Sequence, residues 1–547
     1  MIKVNLRTYQ PSDKINIIIF FCKVFKENNR ILKLNSKDID ISDIEQSYCK
    51  DGNFWCLIYN NKIIGTIGLR KLDNCYEIRR FFVLKKYQGK GYGKDMLSYV
   101  MRYAFLNEIE VLKLATMNDG NAILHLLKEF GFEQTTRYNN STADLFWRFN
   151  LTPLNIFSSF YNKALKTIKS TLILNPTENF PYYVPFETKY FEGVYVSERY
   201  KQKDDIVIFG GRNSLIDTYD LIKDIWKSKI HAEAVDLKTL SGLNAHLILF
   251  LCIANRGQTV LLLSERAGGH FSTEEMLKKI GMNVYHFPLD LNNYCVNRKE
   301  SEILIEKINP DFIFIDRSEG LIFEDFSWLG KYKKCIKIFD ASQYLTQIVT
   351  EYYPNPLLNG FDYFISSLHK NFPGPQKSII ATNTINSIWD EFLINSKTFI
   401  SNTHPENIFK SVIPLLDNNK LNEYSSQCIQ CNKKLEQELL KRNIPIIKRS
   451  QNELPTLHIW LLPPTKEKTY EFFLKLEALG ILVNYRKLPY DLGYGLRLGV
   501  NAAVQQGLRL QHIIPLADII KEAYISQEIS PQLLSIANKL IKEITAK

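Results

Sequence analysis

Apolar positions change their spacing several times in the first 150 residues, and each change predicts an element. Residues 55–59 and 63–69 are apolar-rich runs separated by Asn60, Asn61 and Lys62, which predicts a hairpin with a polar turn. Residues 77–84 read as a further strand. Beyond a glycine-rich turn, Met96, Leu97, Val100, Met101 and Ala104 recur at helical spacing and predict one apolar helix face. Residues 156–168 form a further amphipathic run. From Leu172 onward strand-like runs (259–263, 336–339, 361–365) alternate with helix-like ones such as 247–254, the pattern of an α/β domain with a mainly parallel sheet. The fold class expected is therefore α/β, an N-terminal α+β domain followed by a larger α/β domain. No long Gly/Ser-rich or Pro-rich linker, internal repeat or low-complexity tract interrupts the chain.

Bulk composition narrows this only a little. The 547 residues exceed one ordinary core, and 45% hydrophobic with 23% charged residues is ordinary for globular protein. No stretch reaches the ~20 apolar residues of a membrane span, and no signal peptide is recognisable at the start, so no membrane role and a cytoplasmic location are expected. Nine scattered cysteines argue against a secreted disulfide framework. Cys428 and Cys431 form a lone CxxC inside a helix-like segment, so no metal is expected. The net charge of +11 comes without a Lys/Arg block or basic-aromatic array, which argues against nucleic acid as partner.

The stretch 362–376, DYFISSLHKNFPGPQ, is chemically unusual. Lys370 follows an apolar strand and precedes a Pro-Gly-Pro turn. An ammonium at such a place must be paired, exposed or lowered in pKa, and a lowered lysine suits Schiff-base chemistry. Four other features are separated in sequence. Ser241-Gly242 opens a helix, an anion-binding arrangement. Gly268-Gly269-His270 follows a strand. Asp340 ends a strand, where ligands bind in open α/β sheets. Arg497 lies in a strand-like context suited to bidentate carboxylate recognition. In the first domain, strand, Gln88-Gly-Lys-Gly-Tyr-Gly-Lys94 and helix make a phosphate-cradling order.

With its Q-x-x-G-x-G loop, the preceding run 77–84 and the late segment 121–132 ending in Gly-Phe, the first domain resembles the GNAT acetyltransferase superfamily. The resemblance implies acetyl-CoA as donor, held by Gln88, Gly89, Gly91, Gly93 and Lys94. It makes Glu77 the general base by position, with a strand-edge surface carboxylate as the alternative. The tyrosine that often serves as general acid four residues before Gly-Phe is Leu127 here, and Tyr138 is a possible substitute.

Residues 171–547 resemble serine hydroxymethyltransferase, a fold-type-I pyridoxal-phosphate enzyme. The matching segments include Thr177-Glu-Asn-Phe180, Tyr190-x-Glu192-Gly193, Ser241-Gly242, Gly268-Gly-His270, Asp340-x-x-Gln343, His369-Lys370, Gly374-Pro375 and Gly495-Leu-Arg497-Leu-Gly499. The resemblance implies that Lys370 carries pyridoxal 5'-phosphate as a Schiff base and that Asp340 contacts its pyridine nitrogen. It implies that His270 stacks on the ring, that Ser241 and Gly242 join the phosphate cup, and that Gln343 and His369 lie beside the cofactor. Arg497 would bind the amino-acid carboxylate, with Glu192 as proton-transfer group and Tyr190 beside it. It also implies a homodimer. The domains expected are 1–150, a helical connector 151–170, and 171–547, divided into a large cofactor-binding part (171–390) and a small C-terminal part (391–547).

Departures qualify the second resemblance. Gln343 replaces a histidine, Leu243 a serine, Gln376 an arginine, and Phe271-Ser-Thr the family's threonine-histidine-glycine loop near folate. Cofactor binding and carboxylate recognition survive them, whereas tetrahydrofolate becomes doubtful. The function expected is a bifunctional enzyme, an acetyl-CoA-dependent N-acetyltransferase joined to an enzyme that makes or breaks the Cα–Cβ bond of a β-hydroxy amino acid. The alternative is a folate-independent transaldolase, racemase or aminotransferase whose GNAT domain only binds acyl-CoA or another effector.

Overall fold

The computed structural model describes residues 4–73, 75–118, 121–160, 183–184, 194–195, 213–400, 405–449 and 454–545. The chain divides into two compact units, Met1–Asp224 and Ile225–Lys547.

The first unit is built on a seven-stranded sheet in the order β1-β2-β3-β4-β5-β7-β6. Its strands are β1 (Asn5–Thr8), β2 (Asn53–Tyr59), β3 (Lys62–Leu72), β4 (Cys75–Val83), β5 (Val111–Thr116), β6 (Glu133–Gln134) and β7 (Leu145–Asn150). The hairpin expected around Asn60–Lys62 is β2–β3, with Asn60 and Asn61 both at positive φ in the turn. Strand β4 runs parallel to β5, but the two pair only from Tyr76↔Leu112 to Ile78↔Leu114. Beyond Ile78 their backbones part, and β4 continues to Val83 and into the glycine loop. The helix Tyr92–Leu106 follows, and Met96, Leu97, Val100, Met101 and Ala104 are all fully buried. Burial on that scale contributes about 1.5–3 kcal/mol per large side chain, which fixes the loop's exit angle. A register shift between Thr66 and Gly68 in β3 lies opposite Arg80, whose φ of 50° is unusual for a residue with a Cβ. The strain is offset because Arg80 is buried in ion pairs with Asp38, at 2.9 Å, and Asp40.

The second unit contains a seven-stranded sheet in the order β8-β14-β13-β12-β11-β9-β10. Its strands are β8 (Ala234–Asp236), β9 (Thr259–Leu262), β10 (Asn283–His286), β11 (Phe312–Ile315), β12 (Ile336–Asp340), β13 (Tyr363–Ser367) and β14 (Ser378–Thr382). Strands β10, β9, β11, β12 and β13 are parallel, and β14 and β8 add antiparallel edges. Parallel strands covered on both faces need apolar residues on both sides. The FIFI of β11 and the YFISS of β13 are buried throughout. The helix Gly242–Ile253 packs on this sheet and contributes Ala245, Ile248, Leu249, Phe250, Cys252 and Ile253 to the core. A smaller three-stranded sheet, β15 (Ile459–Leu461), β16 (Asn484–Leu488) and β17 (Gly493–Leu498), in the order β15-β17-β16, has a second core of its own. The expected α/β class and the two-part larger domain are present.

Of the run 156–168, residues 156–160 lie in a helix and the rest lies outside the described residues. Cys428 and Cys431 lie buried one turn apart in the helix Asn418–Lys441. None of the nine cysteines forms a disulfide, and no cluster of metal-binding side chains occurs among the described residues. No helix among them is long and apolar enough to cross a membrane.

Candidate functional site

In an open parallel sheet the carboxyl ends of the strands form the ligand-facing edge. Asp340 ends β12, and Asp316 follows β11 in continuation of the register that pairs Ile315 with Phe339. Both carboxylates are buried, but their surroundings treat them differently. Asp340 Oδ2 lies 2.7 Å from His246 Nε2, and its Oδ1 accepts the Ser342 N–H at 2.7 Å. Burial alone would raise Asp340; the His246 hydrogen bond and the Lys370 charge outweigh it and bring its pKa down to about 2. Asp316 is raised to about 6, first by burial, although His246 and the His270 N–H oppose the rise.

Over this edge sits the start of the helix Gly242–Ile253. Ser241 is its N-cap, accepting the Asn244 N–H at 3.2 Å, so the first turn directs free N–H groups outward. A Cβ on Gly242 would lie 3.1 Å from Ser342 Oγ, 3.6 Å from Ser367 Cβ and 3.9 Å from Asp340 Oδ2. The helix start and both strand ends thus meet at close range only because residue 242 lacks a side chain. Ser367 Oγ and His246 Nδ1 are buried there without a hydrogen-bond partner. Unsatisfied buried polar groups are costly and mark places where a polar ligand is missing. An anion-binding helix start, an ionised aspartate and orphaned polar atoms suit a phosphorylated, protonatable ring, so the residues fit pyridoxal phosphate.

Strand β13 ends at Ser367, Leu368 is buried, and the chain then turns outward, leaving His369 and Lys370 exposed. Lys370 is therefore not enclosed, as a lysine at the end of a buried strand suggested. The reason is the turn closed by the Gly374 N–H on the Leu368 carbonyl, at which strand pairing ends and His369 and Lys370 face outward before Asn371 and Phe372 return to the core. Its ammonium is still close enough to lower both Asp340 and His270. His270 is half-buried and falls to about 4 through burial, His246 and Lys370, which keeps its ring neutral at pH 7. Gly268 and Gly269 pin its loop. A Cβ on Gly268 would lie 2.0 Å from the Glu319 carbonyl, and Ser318 and Glu319 both donate N–H bonds to the Gly268 carbonyl. Phe271, which follows, is 68% exposed and stacks on His270 at 4.8 Å between centroids. Gln343 is half-buried in the turn after β12.

Arg497 lies on β17 and donates to Asn484 Oδ1 at 3.1 Å. Among the described residues its nearest carboxylate is Glu319, at 3.5 Å, which also pairs with Arg486 of β16. Burial lowers Arg497 despite Glu319. Tyr190 and Glu192 lie outside the described residues, as does the Thr177-Glu-Asn-Phe180 segment.

In the first unit Glu77 is 2% exposed, which rules out the surface-carboxylate alternative. Its Oε1 accepts Asn139 Nδ2 at 2.6 Å and the Tyr138 hydroxyl at 3.0 Å, and Oε2 faces Arg70 at 3.0 Å and Arg79 at 3.7 Å. Burial and the Glu77 charge raise Tyr138. Leu127, where the usual tyrosine is missing, is fully buried. Gly89 and Gly91 have φ of 75° and 85°, with nothing within 4 Å of an added Cβ, so the loop backbone presents an open face. Gly91 caps the helix Tyr92–Leu106, and Gln88 Nε2 braces the loop on the Val83 carbonyl at 2.8 Å. Gly93 lies 3.8 Å from Phe81 through its added Cβ, and Lys94 pairs with Glu129 at 2.5 Å. An open glycine loop at a helix start, beside the gap between β4 and β5, fits the pyrophosphate of a coenzyme A thioester.

Sequence reasoning missed His246, Asp316, Glu319 and Arg486. His246 had a signal, being the one basic residue in the apolar helix Gly242–Ile253. The other three gain meaning only from contacts between distant segments.

Residues 24–132 match the model of the Acetyltransferase (GNAT) family. The larger part of the chain is similar to serine hydroxymethyltransferases. That of Pyrobaculum calidifontis is 26% identical over 369 residues, covering 65% of this chain and 84% of the relative. That of Saccharolobus solfataricus is 25% identical over 385 residues, covering 67% and 85%. Among solved structures, L-threonine transaldolase from Pseudomonas fluorescens superimposes with a TM-score of 0.57 at 20% identity, covering 62% of this chain and 79% of that one. The larger unit therefore shares the fold-type-I transferase fold, and both parts of the chain are similar to transferase enzymes.

Proposed function

We propose that the chain is a bifunctional transferase. Residues 171–547 would be a pyridoxal-phosphate enzyme that makes or breaks the Cα–Cβ bond of a β-hydroxy amino acid of the serine/glycine type. Residues 1–150 would be an acetyl-CoA-dependent N-acetyltransferase. The observation that carries the first half is the closure of Gly242 onto Ser342, Ser367 and Asp340, with Asp340 kept ionised by His246.

The bound cofactor supplies an electron sink for charge released at Cα. The chain's own residues do the rest. Ser241, Gly242 and the helix start hold the phosphate. Asp340 keeps the pyridine nitrogen protonated, and His246 fixes the orientation and charge of Asp340. His270, neutral at pH 7, offers a flat face for the ring. Lys370, exposed at the strand edge, is free to exchange with an incoming amine. Arg497 takes the amino-acid carboxylate, and Glu192, the proton-transfer group that the resemblance implies, would move the proton at the substrate hydroxyl. The homodimer implied by the resemblance and the cytoplasmic location expected from the sequence belong to this reading.

In the first unit the open glycine loop receives the pyrophosphate, with Gln88 and Lys94 beside it. Glu77 is the base, and Tyr138, bonded to it, is the acid. Oε1 of Glu77 is taken by Asn139 and Tyr138, whereas Oε2 holds one hydrogen bond, from Arg70, and keeps acceptor capacity for a substrate proton.

Phe271 favours a second reading of the larger unit. An exposed aromatic ring stacked on His270 stands where a folate-binding loop is expected, which suits folate-independent transfer such as a transaldol reaction. Turnover of serine with and without tetrahydrofolate separates the two. Acceleration by folate supports hydroxymethyl transfer, and unchanged turnover supports the folate-independent enzyme.

A further inference from the structure

Beside the cofactor edge, two guanidinium groups converge on one buried carboxylate. Asn484 pairs with Arg497 and Arg486 with Gly495 across β16 and β17, so Arg486 and Arg497 stand as diagonal neighbours on one face of the small sheet. Like charges so placed repel unless an anion joins them. Glu319 is placed to be that anion: burial raises it, and the Arg497 and Arg486 charges oppose the rise. It is 1% exposed, pairs with Arg486 and lies 3.5 Å from Arg497. It is fixed by its backbone, whose N–H bonds the Gly268 carbonyl, so its carboxylate cannot swing far. The arginines are more open, with side chains 34% and 21% exposed. Arg486 is close enough to His270 to lower it, which puts the group next to the ring-stacking residue. Exposed Glu265 and His458, neutral because burial, Arg497 and Arg449 lower it to about 3, complete the ionisable surroundings among the described residues.

We propose that the Arg486–Glu319 pair is a specificity element: Glu319 permanently fills one guanidinium of the pair, so that Arg497 receives a single substrate carboxylate and amino acids with a second, side-chain carboxylate are turned away. This rests on Arg497 as the carboxylate-binding residue. Two arginines with one internal carboxylate leave one positive charge, which matches the α-carboxylate of glycine, serine or threonine. An aspartate-like side chain would bring a second negative charge to a place that Glu319 already occupies. Arg486 is then a positioning residue, which draws Glu319 away from Arg497.

The test is amino-acid titration of the cofactor-loaded full chain, read by the change in visible absorbance, with glycine and aspartate compared. Glu319→Gln keeps the shape and removes the charge, and is expected to raise the aspartate-to-glycine affinity ratio by about tenfold or more. Arg486→Gln leaves Glu319 to Arg497 and is expected to weaken glycine by about tenfold. The double variant Arg486→Gln/Glu319→Gln is expected to recover glycine binding without the gain for aspartate, a rescue that general damage would not give. An unchanged ratio in Glu319→Gln, or a double variant no better than Arg486→Gln, overturns the inference. Arg497→Gln separates it from its premise. If that variant binds glycine as the parent chain does, or if the parent responds to no amino acid, the carboxylate assignment falls and this inference with it. If Arg497→Gln weakens glycine while Glu319→Gln leaves the ratio unchanged, only the specificity element falls.

Discussion

Glu77 and Asp340 are both buried carboxylates on strands, one in each unit, and they are held in opposite ways. Glu77 is enclosed by donors: Tyr138 and Asn139 on one oxygen, Arg70 and Arg79 on the other. Asp340 has two protein partners, His246 and the Ser342 N–H, and beside it lie a slot that only glycine leaves open and the partnerless Ser367 hydroxyl. A carboxylate saturated by its own chain stabilises that chain. One held ionised beside unsatisfied polar groups is placed for a ligand. The two units therefore differ: the edge around Asp340 leaves buried polar atoms unpartnered, whereas both Glu77 oxygens are already engaged by side chains of their own unit.

The largest expected effect breaks the comparison if it fails. Asp340→Ala should lower turnover by the larger unit roughly a thousandfold and weaken cofactor binding, measured by kinetics and absorbance titration. Glu77→Gln in the same assays should leave the larger unit untouched. Next, Glu77→Gln should destabilise the first unit by about 1–3 kcal/mol, because Arg70 and Arg79 lose their anion but are partly solvated. Hydrogen exchange of first-unit backbone amides across a urea series checks this; a shift no larger than that of a surface glutamate would mean that these contacts do not stabilise.

Acid unfolding sharpens the contrast. Asp340 has a folded pKa near 2, below its unfolded value, so its contribution is present above pH ~4 and disappears as pH falls through 2, about 2 kcal/mol in all. His246→Asn should shrink that window, measured as the urea midpoint between pH 4 and 2. The smallest effect has the opposite sign. Asp316, raised to about 6, is ionised at pH 7 at a cost, and its contribution to stability falls as pH rises from 4 through 6. Asp316→Asn keeps an acceptor for the His270 N–H and should stabilise the protein at pH 7 by about 1 kcal/mol, seen as a raised thermal midpoint.

Local patterns made much of this legible in advance. The β2–β3 hairpin, the buried face of the helix Tyr92–Leu106, and Asp340 at a strand end all follow from spacing and turn chemistry within short windows. The exposure of Lys370 did not, because strand hydrophobicity gives no information about the turn at Leu368 that carries the next residues outward. His246 was hidden among apolar neighbours, and its role depends on an aspartate from another strand. Glu319 and Arg486 look like ordinary surface charges in sequence; the Gly268–Glu319 contact and the β16–β17 register bring them together as an ion pair with Glu319 buried. Elements come from neighbouring residues, whereas the environments that tune charge come from distant ones.

The central claim is that the strand edge around Asp340 holds a working cofactor site. Its most direct test is the visible spectrum of the purified protein and of Lys370→Ala, before and after glycine, serine or threonine is added. The account predicts an absorbance band that is lost in Lys370→Ala and shifts in the parent with at least one of these amino acids. No band, even after pyridoxal phosphate is supplied, would contradict it and leave the larger unit with the fold but not the chemistry.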